Sequence, residues 1–144
     1  MVTSGGQGLP RTSRILSPAD FARVYARRCS AADGPLVLYG RPRDDAAEEA
    51  RVGLSVSRRI GNAVVRNRWK RRLREAFRMV RSQLPAGNDY VIVVRFGGPP
   101  AGAAGAKQIE DSLLALASRV TRRPGYATTP LRKSGRRGPR KKKS

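Results

Sequence analysis

Residues 51–74 read RVGLSVSRRIGNAVVRNRWKRRLR, and this stretch holds folding information and ligand information at once. Val52, Leu54 and Val56 recur every second residue, the period of a half-buried strand. Gly61-Asn62 then marks a turn and a helix start. Beyond it the apolar residues Val65, Trp69, Leu73, Ala76, Phe77 and Val80 follow helical spacing and cluster in one arc about 120° wide. The remaining face is basic: Arg68, Lys70, Arg71, Arg72, Arg74 and Arg78. Arg66 alone falls inside the apolar arc, in the first turn, where its side chain can leave over the helix end.

From Arg51 to Arg81 there are eleven Lys and Arg residues and one acid, Glu75. Ordinary solvated helix faces mix signs, because like charges one turn apart cost a few tenths of a kcal/mol per pair. Arg66/Lys70, Lys70/Arg74 and Arg74/Arg78 are all such pairs. A face of this kind calls for a polyanion. The free start of the helix, with its exposed amides and positive dipole end, suits phosphate as well.

The totals agree. The 144 residues carry 31 Lys and Arg against 10 Asp and Glu, a formal net charge of +21, which speaks of partners and not of fold. Nucleic acid is the expected partner, and an acidic membrane surface is second. No run of apolar residues is long enough to span a bilayer, residues 1–10 lack the features of a secretory signal, and a cytoplasmic location is expected. Cys29 is the sole cysteine and there is no histidine, so an internal disulfide, a cysteine zinc site and the commonest general base are all excluded.

Around the central stretch, residues 1–12 read as a disordered extension. Ser17-Pro18-Ala19-Asp20 opens a short helix carrying Phe21, Val24 and Tyr25 and ending near Ser30. Gly34-Pro35 opens a strand over 36–39, and residues 44–49, with four acids, read as a loop. The long helix runs from about 62 to 83. Residues 90–96 (YVIVVRF) form a buried strand, 97–106 a flexible connector, and Ile109, Leu113, Leu116 and Val120 space a last helix. Residues 122–144 are a basic, low-complexity tail. The order is that of a small α+β or α/β two-layer sandwich, a mixed sheet with about three helices.

Opposite Val52, Leu54 and Val56, the strand presents Gly53, Ser55 and Ser57, a small polar face with room for an extended ligand. Phe21, Tyr25 and Tyr39 could add aromatic surfaces for nucleobases, although Phe21 fits a core equally well. Trp69 is expected in the core.

Residues 51–68 with Lys70-Arg71 and Arg74-Glu75 closely resemble the signature of the bacterial ribonuclease P protein subunit, its Arg-Asn-Arg motif standing as Arg66-Asn67-Arg68. Residues 20–25 and 89–95 are similar to that family's first helix and last strand, so the resemblance spans about 13–121. Arg58-Arg59 and Trp69 depart from its usual lysines and aliphatic residue. The resemblance implies a ribosomal-protein-like fold with a left-handed βαβ crossover. It also implies a protein that assists a catalytic RNA in removing the 5′ leader of precursor tRNA, with Mg2+ held mainly by the RNA. By position, Arg66, Asn67, Arg68, Lys70, Arg71 and Arg74 would contact the ribonuclease P RNA. Arg58, Arg59 and Asn62 would border both the RNA and the leader, and Phe21, Tyr25, Tyr39, Ser55 and Ser57 would form the leader groove. No side chain of the protein would be catalytic or ligate a metal. Two other readings stand beside it: a structural, ribosomal-type RNA-binding protein, and a self-sufficient nuclease using Asp44, Asp45, Glu48 and Glu49.

Overall fold

The structure, a computed structural model, describes residues 13–15, 17–43, 50–124 and 126. The N-terminal extension, the acidic stretch 44–49 and nearly all of the basic tail lie outside these. Helix α1 spans Pro18–Ala26, strands β1 and β2 span Ser30–Asp33 and Leu36–Pro42, and β3 spans Arg51–Val56. Helix α2 spans Ala63–Val80, strand β4 Asn88–Val94, and helix α3 Gly102–Thr121.

The four strands form one mixed sheet in the order β1-β2-β4-β3. β1, β2 and β4 pair antiparallel, whereas β3 runs parallel to β4, with α2 crossing between them. Mixed sheet and three helices give the α+β architecture expected from the sequence. α2 and α3 cover one face. Trp69, Leu73 and Phe77 of α2 and Leu113 and Leu116 of α3 are fully buried there against Ile92 and Val94. Each such side chain contributes roughly 1.5–3 kcal/mol of hydrophobic stabilisation. α1 lies on the opposite face, where Val24, Ile15 and Val91 form a second, smaller cluster. It covers only part of that face.

Local chemistry explains the element ends. Ser17 caps α1, its Oγ accepting from the Asp20 amide at 3.1 Å, with Pro18 in the first turn. Asn62 caps α2 in the same manner, its Oδ1 accepting from Val65 N at 3.0 Å. Several boundaries differ from the sequence reading: β2 runs on to Pro42, beyond the expected 36–39, and β4 spans Asn88–Val94 where 90–96 was expected. α1 stops at Ala26, and residues 30–33 instead form β1, an edge strand made by pairing with β2 across the Gly34-Pro35 turn. α3 begins at Gly102, inside the stretch expected as a connector. Its start has no side-chain cap and is held from outside, Arg72 Nη1 donating to the Gly102 carbonyl at 3.3 Å.

The packed body also reaches past residue 121, where the tail was expected to begin. Tyr126 is buried, its hydroxyl donating to Asn88 Oδ1 at 2.6 Å, and the Arg27 guanidinium sits 5.8 Å from its ring. Burial drives the hydroxyls of Tyr90 and Tyr126 well above their ordinary value. Gly40 is required by this packing, since a Cβ there would stand 2.7 Å from Val120 and 3.0 Å from the Tyr126 hydroxyl.

Candidate nucleic-acid interface

α2 divides its residues as its sequence requires. Trp69, Leu73, Ala76, Phe77 and Val80 are buried, with Val65 half-buried against them. The Trp69 indole N–H donates to the Gly97 carbonyl at 2.8 Å, so the residue expected in the core also ties down the segment after β4. Asn67, Arg68 and Arg71 are exposed, and Lys70 and Arg74 are half-buried. Glu75, the one acid on the helix, is paired with Arg78. Arg66, the exception on the helical wheel, turns back over the helix start, where its Nε donates to the Gly61 carbonyl at 3.2 Å. The remaining members of the expected basic set gather at this same end. Arg58 and Arg59 are exposed in a short 3₁₀ turn, Arg58–Ile60, and Asn62 is the cap itself.

On the α1 face three aromatic rings stand in a row. Phe21 and Tyr25 lie 6.4 Å apart, and Tyr25 meets Tyr39 edge to face at 4.9 Å. All three are half-buried, with part of each ring open. The small polar face of β3 is less open than its composition suggested. A Cβ on Gly53 would fall 2.7 Å from the Phe21 ring and 3.2 Å from Ile15, so this glycine serves as a seat for Phe21. Space remains one row further along. Val37, Val93 and Ser55 stand in register across β2, β4 and β3 on this face, each half-buried, and exposed Ser57 continues the line. The result is a shallow groove with an aromatic wall and a floor of two valines and a serine.

A pocket of about 240 Å³ at the outer edge of β3 joins the two surfaces. It is lined by Arg14, Ile15, Phe21, Val52, Leu54, Lys70 and Arg74, three cations over an apolar base with no acid. Residue 14 reaches this place by pairing as an isolated bridge with Val52, Ile15 N donating to the Val52 carbonyl at 2.8 Å. The Arg74 guanidinium is pushed below its ordinary value, first by burial and then by Arg14 and Arg71. Mutual repulsion of this kind is relieved by a bound anion. Sequence reasoning found Phe21, Lys70 and Arg74 but missed Arg14 and Ile15, which gain their place only through the bridge to β3.

The family model for ribonuclease P matches residues 9–121. The chain belongs to the ribonuclease P protein family. It is 42% identical over 110 residues to a ribonuclease P protein component from Brevibacillus brevis, covering 76% of this chain and 84% of that one. A ribonuclease P protein component from Listeria innocua is 39% identical over 101 residues, covering 70% and 82%. Among solved structures, the Staphylococcus aureus RNase P protein superposes with a TM-score of 0.58 at 32% identity, covering 74% of this chain and 93% of that one. The Thermotoga maritima RNase P protein gives 0.52 at 27% identity, covering 67% and 80%. Arg66-Asn67-Arg68 stands on the first two turns of α2. No helix among the described residues is long and apolar enough to cross a membrane.

Proposed function

We propose that the chain is the protein subunit of a ribonuclease P holoenzyme. It binds the ribonuclease P RNA through α2 and the 5′ leader of precursor tRNA through the α1 groove, promoting cleavage that leaves the mature tRNA 5′ end. The observation that carries this reading is the pairing of two different RNA-type surfaces around one strand. Arg66, Asn67, Arg68, Lys70, Arg71 and Arg74 offer charge without bases to read, which suits a folded RNA backbone. Phe21, Tyr25 and Tyr39, with Ser55 and Ser57, offer stacking, which suits an unpaired strand of any sequence. Arg58, Arg59 and Asn62 border both surfaces.

In this reading the hydrolysis belongs to the RNA and its Mg2+, and the pair works in the cytoplasm, where its tRNA substrates are made. Among the described residues no group of three or more Cys, Asp or Glu side chains could hold a metal ion. A structural RNA-binding protein would share the basic face, but the aromatic groove favours a second, single-stranded ligand.

Reconstitution tests the reading. With a bacterial ribonuclease P RNA and precursor tRNA, the protein should lower the Mg2+ concentration needed for cleavage. Tyr25→Ala should weaken binding of leader-bearing precursor by about tenfold, the worth of one stacked base, and leave leaderless tRNA unchanged. An unchanged Mg2+ requirement defeats the assignment. Equal losses with both substrates defeat the groove, and cleavage by the protein alone supports the self-sufficient nuclease.

A further inference from the structure

Phe96 follows the last residues of β4 and is 56% exposed, the only aromatic side chain among the exposed large hydrophobics of the described residues. A single exposed apolar residue ordinarily carries no message. This one is held in a particular setting. The Arg95 guanidinium lies 5.6 Å from the centre of its ring and is itself fixed by donating to the Gly34 carbonyl in the β1–β2 turn. The Arg95 amide continues the β2–β4 ladder, donating to the Pro35 carbonyl at 2.8 Å. On the other side, Gly97 is tied to α2 by the 2.8 Å bond from the Trp69 indole. The ring therefore stands on a backbone fixed at both neighbours. Gly97 and Gly98 leave open space beside it, with nothing within 4 Å of where a Cβ would be.

Register places the ring at the same end of the sheet as further cations. β3 and β4 are parallel, with Val56 opposite Val94, so Arg58 and Phe96 both lie two residues beyond the last paired row. The exposed Arg58–Ile60 turn and the start of α2 thus emerge at the same end of the sheet as Phe96. Along β4, Ile92 and Val94 face α2 and α3, whereas Val91 and Val93 face α1. Phe96 lies past the end of β4, in the bend that leads to Gly97.

We propose that Phe96 is a stacking platform for one unpaired nucleotide of the ribonuclease P RNA, the RNA assigned above to α2. Arg95 borders one side of the ring, and Arg58 and Arg59 supply charge for the flanking phosphates. An aromatic face set among cations suits a nucleotide, since every base has a face to stack and a phosphate to neutralise. A protein partner would find few acids to answer these arginines unless it were itself strongly acidic. The inference rests on the reading of the chain as a partner of that RNA.

Binding of the full chain to ribonuclease P RNA alone, without precursor, tests it. Phe96→Ala should weaken binding by about tenfold and Phe96→Trp should restore it, because an exposed ring contributes by stacking and not by core packing. Both variants should melt with the wild type. Undiminished RNA binding by Phe96→Ala overturns the proposal. So does a deficit that appears only with leader-bearing precursor, which would make the leader the occupant, or a deficit that Trp leaves unrepaired. If wild-type protein fails to bind the RNA, the underlying function falls and this inference with it.

Discussion

Asp89→Asn is expected to destabilise the fold by about 3–5 kcal/mol, the range for breaking a buried ion pair from one side. Asp89 is the second residue of β4 and stands directly opposite Arg41 in β2 and Arg51 in β3. Its side chain is only 2% exposed. Arg51 grips it with two hydrogen bonds, Nε to Oδ1 and Nη2 to Oδ2, both 2.8 Å. Arg41 and Arg43 stand at 3.5 and 3.4 Å from the two oxygens. Donating to Asp89 also holds the Arg51 guanidinium above its ordinary value, against the opposing effect of burial.

Asparagine keeps the shape of the side chain but removes the charge and turns an N–H2 donor toward guanidinium donors. Against a total stability that is typically 5–15 kcal/mol, such a loss should lower the melting temperature by on the order of 10 °C. Thermal or urea denaturation checks it. Adding Arg51→Met to Asp89→Asn should recover part of the loss, because one stranded cation is then gone. A change below about 1 kcal/mol for Asp89→Asn would show that the clasp adds nothing net, as some buried ion pairs do.

The second large effect is expected in RNA binding. If α2 and the Arg58–Ile60 turn together neutralise six or more phosphates, affinity for ribonuclease P RNA should fall by about 10³-fold or more between 50 and 200 mM salt. Arg68 and Arg71 are exposed and clear of the core, so replacing both by Gln leaves the fold intact. The logarithmic salt slope should then flatten by about two, one unit for each phosphate that is no longer neutralised. A steep slope that these substitutions leave untouched would place the RNA elsewhere on the protein. Arg66 is a poorer test of charge alone, because its bond to the Gly61 carbonyl also trims the helix start.

Much of this was legible in residues 51–81 because one helix carried two incompatible demands. A face with Trp69, Leu73 and Phe77 must be buried, and a face with Arg68, Lys70 and Arg71 cannot be. Ser17-Pro18 and Asn62 announced their helices because side-chain caps are local chemistry, readable without neighbours. What stayed hidden depends on distant partners. β1 consists of Ser30, Ala31, Ala32 and Asp33, with no apolar alternation, and becomes a strand only by lying against β2. α3 starts without a cap among Gly and Ala residues, so Arg72 and Trp69 from α2 position that entry. Tyr126 reads as part of a basic tail until Gly40 opens a place for it beside Val120.

The functional surfaces divide in the same way. The basic helix face was readable from spacing and charge, but not the half-burial of Lys70 and Arg74 along it. The groove was readable as a set of aromatics, but not in detail: Phe21 occupies the space over Gly53, and the open floor lies at Val37, Val93 and Ser55. The pocket at the β3 edge required the pairing of residue 14 with Val52, which no local pattern encodes.

The central claim is that two RNA surfaces act together, and the most direct measurement is the affinity of the reconstituted complex for precursor tRNA relative to mature tRNA. The ribonuclease P RNA without protein provides the reference ratio. The protein should raise the ratio by about tenfold or more, through bases stacked in the groove. A ratio equal to that of the RNA alone, in a complex that still contains bound protein, would contradict the account and leave a protein that only supports the RNA fold.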